Sequence, residues 1–392
     1  MTGLDVYLCQ TLTIFLHFLI SPFLSIFFVS ALRALCGSSK QNLFSKMIET
    51  CDITVLIPLK HPQFQIDMTH HLLKANCKTV HLGGFSPKLE PALTVDSGDR
   101  IDIETYSGYY VADKAPPEFL TPEFLDICQN LPDNRKVGPG PHLLTGPIYV
   151  NKAEPGDVLE IHIEEVYPSL PVGFNAIRAG WGVLPKYFPD PKLRFIPLDL
   201  EQKIAEFPAD SGVNIPLNPF FGIIGVADFE INRSSIPPQR YGGNMDNQEL
   251  QPGTRLFLPI AVRGGLLSIG DGHSAQGDGE VNGTAIETSM NGTIKIILRK
   301  DLFYIFPFAE TPTHIVTMGF GQTLDDAFDM AVRQTVNWLQ KYAGFQEEDA
   351  YVFCSLAVNF RITQAVNNPR KGVHGMIPKS ILPNVQIMDR WR

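Results

Sequence analysis

The chain has 392 residues, enough for two or three core-forming units, and its 44 % hydrophobic and 19 % charged residues are ordinary for a globular protein. The formal net charge is −9 and the sequence has no block of basic residues. This argues against a nucleic-acid partner, because phosphate binding needs a stripe of lysine and arginine. The six cysteines are scattered without a Cys-x-x-Cys motif, which favours free thiols in a reducing compartment over a zinc ribbon or disulfide scaffold.

Residues 1–36 form a hydrophobic N-terminal segment in which Leu12–Leu32 carries no charged residue and is long enough to span a bilayer. A cleaved signal peptide would have positive charges before its apolar stretch, and this segment has none there. Positive charges instead follow it, from Arg33 onward. The segment is therefore interpreted either as a membrane anchor that leaves the following chain in the cytosol, or as a non-structural extension or mis-assigned start. Residues 37–67 are predicted to be a linker.

Short apolar runs separated by Gly, Pro and Asp begin at about residue 69 and indicate many short strands. One run alternates cleanly, with one face of the predicted strand formed by Asp99, Ile101, Ile103 and Thr105 and the other by Arg100, Asp102 and Glu104. This spacing is typical of a sandwich or barrel rather than of βαβ units. Residues 68–392 are therefore predicted to form one α+β, predominantly β region with sandwich- or barrel-like strands and a C-terminal helical part.

The helical part is predicted from capping and periodicity. Thr323 through Asp326 reads as a variant capping box, with Thr323 as N-cap and acidic residues in the first turn. An apolar face follows at helical spacing and consists of Phe328, Ala331, Val332, Val336 and Leu339. The helix should end near Gly344, and a shorter second helix should begin around Glu347.

The stretch GDGHSAQGDGE at 270–280 concentrates titratable groups on flexible backbone: Asp271, His273, Asp278 and Glu280. In an extended chain, residues i and i+2 face the same way, so each of the two pairs could point at one site. Glycines allow close approach of the backbone and positive φ. A solvated acidic loop is the alternative, but so many acids packed with a histidine favour a cation that neutralises them.

A second motif, YGGNMD, places Asn244 and Asp246 on one face behind two glycines, although alone it would also suit a hairpin turn. His142 lies between prolines and a strand start, where a ligand and an incidental histidine are equally plausible. Glu287 is a lower-ranked candidate. The chain has no Gly-x-Ser-x-Gly elbow, phosphate loop or His-Glu-x-x-His, so a metal-activated water is favoured over a covalent nucleophile.

These motifs resemble the acetamidase/formamidase family over roughly residues 70–383. The matching stretches are HLLTGPIYV, EPGDVLEI, GGNMDN, LPIAVRGGLLSIGDGHSAQGDGEVNGTAIE, NFRITQAVN and GVHGMIPKSI. The resemblance implies hydrolysis of short aliphatic amides to carboxylate and ammonia. It also implies a mostly β fold with added helices, a bound divalent metal (zinc ahead of calcium) and a homo-oligomer of two or more subunits.

The resemblance assigns the motif residues to one site, in which the metal would be held by some of Asp246, His273, Asp271 and His142. Either Glu280 or Asp278 would be the general base, and Asn244 or a glycine N–H would stabilise the oxyanion. The competing hypothesis is a non-catalytic metal- or ligand-binding β protein derived from the same fold. A cupin-like oxygenase or isomerase would need two or three histidines in one motif. The preferred amide stays open.

Overall fold

Strands dominate the computed structural model, which describes residues 69–382. The predictions made for the hydrophobic segment and the linker, including the possible membrane anchor at Leu12–Leu32, lie outside the described residues. Within residues 69–382, no helix is both long and apolar enough to cross a bilayer.

The strands are short and follow one another at close intervals, as the turn-rich sequence predicts. Those of the first half are β1 His70–Leu73, β2 Val80–Leu82, β3 Gly84–Phe85, β4 Leu93–Val95, β5 Arg100–Thr105, β6 Leu143–Val150, β7 Val158–Pro168, β8 Val172–Ile177, β9 Lys192–Pro197, β10 Ile204–Glu206 and β11 Asn214–Pro216. Those of the second half are β12 Phe220–Gly225, β13 Arg233–Ser234, β14 Gly242–Asn244, β15 Arg255–Pro259, β16 Leu267–His273, β17 Met290–Arg299, β18 Phe308–Glu310, β19 His314–Gly321, β20 Asn359–Gln364 and β21 Lys371–Pro378.

Helices are few and mostly C-terminal. The α-helices are α1 Pro122–Asn130, α2 Leu324–Trp338 and α3 Glu347–Ala357, and a π-helical turn at Leu339–Ala343 extends α2. Single 3₁₀ turns occupy Tyr109–Lys114, Pro117–Phe119, Asp133–Arg135 and Lys379–Ile381. The predicted α+β, predominantly β class with a C-terminal helical part is confirmed.

Two large sheets organise the strands. The first has nine strands in the order β1-β5-β17-β7-β15-β18-β19-β21-β20, and the second has the order β14-β12-β16-β6-β2, with β4 added beside β6. Two-stranded pairs complete the fold: β8 with β9, β10 with β11, and β3 with β13. Nearly all pairs in the large sheets are antiparallel, the parallel ones being β1 with β5 and β4 with β6. This is the pattern expected of a sandwich.

The main core lies between the two large sheets and follows from strand alternation. In β5, Ile101 and Ile103 are buried while the intervening residues are partly exposed, as the sequence predicts. They share a core cluster with Ile223 of β12 and Ile269 of β16 in the other sheet. Burying apolar faces of both sheets against each other supplies the main driving force for this arrangement.

A second core lies on the opposite side of the nine-stranded sheet. In β15, Leu256 and Leu258 belong to the core between the sheets, whereas Phe257 belongs to a cluster that includes Trp338 of α2 and Cys354 of α3. Because successive side chains of a strand face opposite ways, one strand serves both cores. The molecule is therefore layered as small sheet, large sheet and helices.

Helix α2 begins and ends as predicted. The Thr323 side chain accepts a hydrogen bond from the Asp326 N–H, and the Asp326 carboxylate accepts one from the Thr323 N–H, which completes the capping box. The helical path ends at Gly344, whose φ of 73° closes the π turn.

The buried face of α2 is rotated from the predicted one. Phe328 is 48 % exposed, and the buried residues are Ala327, Ala331, Thr335 and Trp338. The reason is the close approach of α2 to β19, where a Cβ on Gly319 would lie 2.3 Å from backbone atoms of Ala327 and Ala331. Only small helix residues fit against this strand, so the large Phe328 lies at the edge, against Phe360.

Candidate metal and catalytic site

The acidic and histidine motifs converge at one end of the small sheet. Strand β16 carries Asp271 and His273, and Asp246 follows β14 directly. Strand β12 runs between them, with Gly222 facing both: a Cβ there would lie 2.5 Å from Asp246 Oδ1 and 2.9 Å from His273 Cε1. The glycine therefore gives space that any other residue would fill.

His273 is the centre of the cluster. Its Nε2 lies 3.3 Å from Glu287 Oε2, 3.5 Å from Asp271 Oδ2 and 3.8 Å from Asp246 Oδ1. Two overlapping groups of ligand atoms within 4.8 Å of one another result, one with Asp246, Asp271 and His273 and the other with His273, Glu280 and Glu287. All five side chains are buried.

Hydrogen bonds to Gln276 fix the imidazole of His273. The Gln276 Nε2 donates to the backbone oxygen of Asp246 at 2.8 Å, so its Oε1 is the atom that faces His273 Nδ1, also at 2.8 Å. Nδ1 must then be the protonated nitrogen, and in the neutral ring Nε2 carries a lone pair. In the neutral ring that lone pair faces carboxylate oxygens, which is favourable only if a metal ion or a proton lies between them.

Several buried polar atoms at the site lack any hydrogen-bond partner within the described chain: Asn244 Oδ1, Asp246 Oδ1, His273 Nε2 and Glu280 Oε2. An unpartnered buried polar atom costs about 1–3 kcal/mol, and more when it is charged. Carboxylate oxygens and an imidazole nitrogen are common protein ligands of divalent metals. The residues present therefore fit a divalent cation.

The backbone at the site is strained. Asp246, Asp271 and Glu280 have φ of 45°, 58° and 45°, in the left-handed region that residues other than glycine seldom adopt. Such conformations cost of order 1–3 kcal/mol each and persist only when the surroundings enforce them. Their occurrence at three acids of one cluster indicates that the backbone is held so as to direct these carboxylates.

Burial and mutual repulsion perturb the pKa values of the cluster. Burial, followed by the neighbouring carboxylates, raises the pKa of Asp246 to about 7 and that of Glu280 well above its usual range. Burial also raises the pKa of Glu287. Burial opposes charging of His273, but Glu287 and Asp271 outweigh it and raise the pKa of the ring well above 6.5. Burial opposes charging of Asp271, but His142 and His273 lower its pKa, so positive charge within the protein favours the ionised form at only one of these four acids.

A small cavity adjoins the cluster. It measures about 20 Å³, which accommodates about one water-sized molecule, and its walls include Tyr110, His142, Arg178, Trp181, Asn244, Asp246, Asp271, Glu280, Glu287 and Asn367. A wider groove of about 880 Å³ also has Glu280 in its lining. Chemistry in the cavity is therefore restricted to small groups, next to a wider approach.

Comparison with known proteins identifies the family. The sequence model of the Acetamidase/Formamidase family matches residues 133–234 and 230–384. A putative formamidase of Schizosaccharomyces pombe is 31 % identical over 55 % of this chain and 63 % of its own length, so the chain spans under two thirds of that relative. The formamidase of Methylophilus methylotrophus is 25 % identical over 61 % of this chain and 77 % of its own.

This chain belongs to the acetamidase/formamidase family. Its fold agrees: the crystal structure of a predicted acetamidase/formamidase from Thermoanaerobacter tengcongensis matches with a TM-score of 0.70 and 26 % identity, covering 82 % of this chain and 99 % of that one.

In this family member, the structure brings together most of the residues that the sequence singles out. Asn244, Asp246, Asp271 and Glu280 line one cavity, with His273 beside them. His142 lies at the edge, with its Nε2 3.9 Å from Asp271 Oδ2 and its Nδ1 2.8 Å from the buried Ser235 hydroxyl. It is outside both candidate ligand groups.

The prediction that Asp278 shares the site with Glu280 is wrong. Asp278 is exposed and forms an ion pair with Arg361 at 2.6 Å, and Gln248 donates a second hydrogen bond to it. The rule that i and i+2 face the same way requires extended backbone, and Gly279 and Glu280 both have positive φ. The turn directs Glu280 inward and leaves Asp278 outside.

Three contributors were missed or ranked low. Glu287 reaches His273 because the two residues form an isolated β-bridge. Gln276 lies within the 270–280 motif, and Asn367, within the NFRITQAVN stretch, donates from Nδ2 to Asp246 Oδ2 at 2.5 Å. All three lie within the motif stretches of the family, and this position could have identified them from the sequence. Arg178 and Trp181, which also line the cavity, lie outside those stretches.

Proposed function

We propose that this protein is a metal-dependent hydrolase that cleaves the C–N bond of short linear amides, such as formamide and acetamide, to a carboxylate and ammonia. The observation that carries the proposal is the buried cluster in which Asp246, His273 and Glu280 present unpartnered ligand atoms beside a cavity of about 20 Å³. The names formamidase and acetamidase in the family supply the substrate class.

The residues proposed to hold the cation are Asp246, Asp271 and His273, with Glu287 on the other side of the imidazole. Zinc is favoured over calcium, because zinc accepts a nitrogen ligand together with carboxylates, whereas calcium takes oxygen ligands only. His142 would steady Asp271, because its ring is positioned by Ser235.

When bound, a divalent cation would polarise the amide carbonyl and lower the pKa of water in the cavity. Glu280 would take the proton from the attacking water and return it to the departing nitrogen. Burial raises the pKa of Glu280, which favours the protonated carboxyl that the second of these steps requires. Asn244, which lines the same cavity, would donate its amide hydrogen to the carbonyl oxygen as negative charge develops there.

The test is ammonia release from formamide and acetamide by the full-length chain loaded with zinc, with and without chelator. Glu280→Gln should lower kcat/KM by about 100-fold or more, the usual scale for losing a general base. Asp278→Asn is the matched control, two residues away but exposed and paired to Arg361, and should stay within a few-fold of wild type.

Release that survives chelation would overturn the role of the metal. No release from either amide by metal-loaded protein would favour the non-catalytic metal-binding alternative. The homo-oligomeric state and the cytosolic location of the catalytic region stay predictions.

A further inference from the structure

Arg178 has no role in the chemistry described so far, although it lines the same cavity as the carboxylates. It follows β8 directly and starts a tight turn in which the Trp181 N–H donates to the Arg178 carbonyl oxygen at 3.0 Å. The guanidinium lies 4.5 Å from the centre of the Trp181 ring and 5.6 Å from that of Tyr110. These cation–π contacts hold the group in one orientation.

Only part of the hydrogen-bonding capacity of Arg178 is used. Its Nη2 donates to the Gly283 carbonyl oxygen at 2.6 Å, whereas its Nε is buried without a partner among residues 69–382. Arg178 forms no ion pair in the described chain, although Asp271, Glu280 and Glu287 line the same cavity. A guanidinium held in place with a free N–H is suited to donate hydrogen bonds to the oxygen of a ligand.

The charges around the cavity indicate which kind of ligand Arg178 would bind. Among the described residues of its wall, Arg178 is the only arginine or lysine, and several others are carboxylates. Because four carboxylates share this wall, a small carboxylate could bind only with the proposed cation in place, and Arg178 would then be the one guanidinium of the wall to pair with it. The fork of an arginine also matches the two oxygens of a carboxylate.

We propose that Arg178, held between Tyr110 and Trp181, forms a carboxylate-binding subsite that takes the acid product of the reaction and positions the carbonyl oxygen of the amide beforehand. This inference rests on the proposed function for the identity of the acid, formate or acetate. Because a carboxylate is charged and an amide is not, removing Arg178 should weaken product binding much more than substrate binding.

The experiment measures inhibition of acetamide hydrolysis by acetate, and acetate-dependent stabilisation against thermal unfolding, in zinc-loaded full-length protein. Arg178→Met should weaken acetate binding about 10- to 100-fold, and should raise the KM for acetamide less than tenfold. Bound zinc and the melting temperature without acetate are measured alongside. The matched control is Arg263→Met, an arginine with a 76 % exposed side chain that lines neither the cavity nor the wider groove, which should leave acetate binding unchanged.

Acetate affinity equal to wild type in Arg178→Met, with normal zinc content, would overturn the subsite. If that variant does not fold, Arg178→Lys keeps the charge but loses the fork, and unchanged acetate affinity there would overturn it equally. Acetate binding that depends on Arg178 in a wild-type protein that hydrolyses neither amide would support the subsite and contradict the proposed function. Hydrolysis of the amides together with acetate binding that does not depend on Arg178 would support the proposed function and contradict the subsite.

Discussion

Two buried aspartates show how differently this protein treats negative charge. Asp228 is fully buried, and each of its oxygens is satisfied: Arg233 and Arg240 each donate at 3.0 Å, and the Phe229 N–H donates at 2.7 Å. Asp246 is 1 % exposed, but its Oδ1 has no partner in the described chain, and no arginine or lysine forms an ion pair with it there.

The comparison distinguishes a structural acid from one that awaits a ligand. Buried charges are tolerated when they are paired, and the cost of leaving one unpaired is several kcal/mol. At Asp228 the fold provides the counter-charge itself. At Asp246 no arginine or lysine of the described chain supplies the counter-charge, which a cation bound as proposed would provide. Variants at or beside Asp246 should therefore change metal binding, whereas a variant at Asp228 should change stability.

The largest effect is expected from Gly222→Ala. The added Cβ would lie 2.5 Å from Asp246 Oδ1, so either the carboxylate or the strand must shift. A displacement of that size should abolish zinc binding and lower kcat/KM at least about 100-fold. Zinc content by atomic absorption and ammonia release measure the two effects.

The control for this variant is Gly277→Ala, in the loop that carries Glu280. A Cβ there would have no atom within 4 Å, and its φ is not positive. It should retain zinc and activity. Equal losses of zinc and activity in the two variants would show that any glycine replacement disturbs this region. The space beside Gly222 would then not be what the site requires.

Replacing each aspartate by asparagine should have opposite effects on stability in chelator. Asp228→Asn removes the counter-charge of Arg240 and the buried one of the two carboxylates that pair with Arg233, and should lower the free energy of unfolding by about 3 kcal/mol. Asp246→Asn removes a charge repelled by its neighbours and should raise it by about 1 kcal/mol, as often happens at functional sites. Urea unfolding of both variants measures this, and a loss of stability in Asp246→Asn would contradict the distinction.

An effect smaller than that at Asp228 concerns a histidine that is buried without an acidic cluster. Burial, followed by Arg361, lowers the pKa of His374 to about 4. In the unfolded chain the His374 ring has a pKa near 6.5. Between pH 6.5 and pH 4 the ring is therefore protonated in the unfolded chain but mostly neutral in the folded one. The resulting stability is present above pH 6.5 and is lost as the pH falls towards 4, by about 2 kcal/mol between pH 7 and pH 5.

Replacing this ring by an uncharged amide should flatten that dependence. His374→Gln should have a smaller slope of unfolding free energy against pH between 7 and 5 than wild type. Asn337→Gln, an uncharged and exposed position of α2, is the control and should keep the wild-type slope. Identical slopes for wild type and His374→Gln would show that the acid sensitivity arises elsewhere.

Local patterns in the sequence predicted much of the fold. The alternation at Arg100–Thr105 and the Thr323 capping box were correct because each depends on residues close in the chain. The face of α2 was wrong because it depends on Gly319 of another element, which no helical periodicity can reveal.

The site was predictable in its motifs but not in its geometry. Asp271 and His273 both lie in β16, as their spacing predicts, although Asp271 itself has a left-handed φ of 58° that the spacing does not reveal. The outward position of Asp278 was not predicted, because it depends on left-handed backbone at Glu280. Arg178 came to the cavity from a different hairpin, and such long-range contacts leave no spacing in the sequence.

The left-handed backbone at Asp246, Asp271 and Glu280 has a consequence for protein design. Grafting the same side chains onto an idealised strand or helix would turn the carboxylates away from one another, since regular elements exclude positive φ. A designer who wishes to move this centre into another scaffold must therefore move its loops and glycines as a unit. The backbone conformation, rather than the identity of the acids alone, is what a design must reproduce.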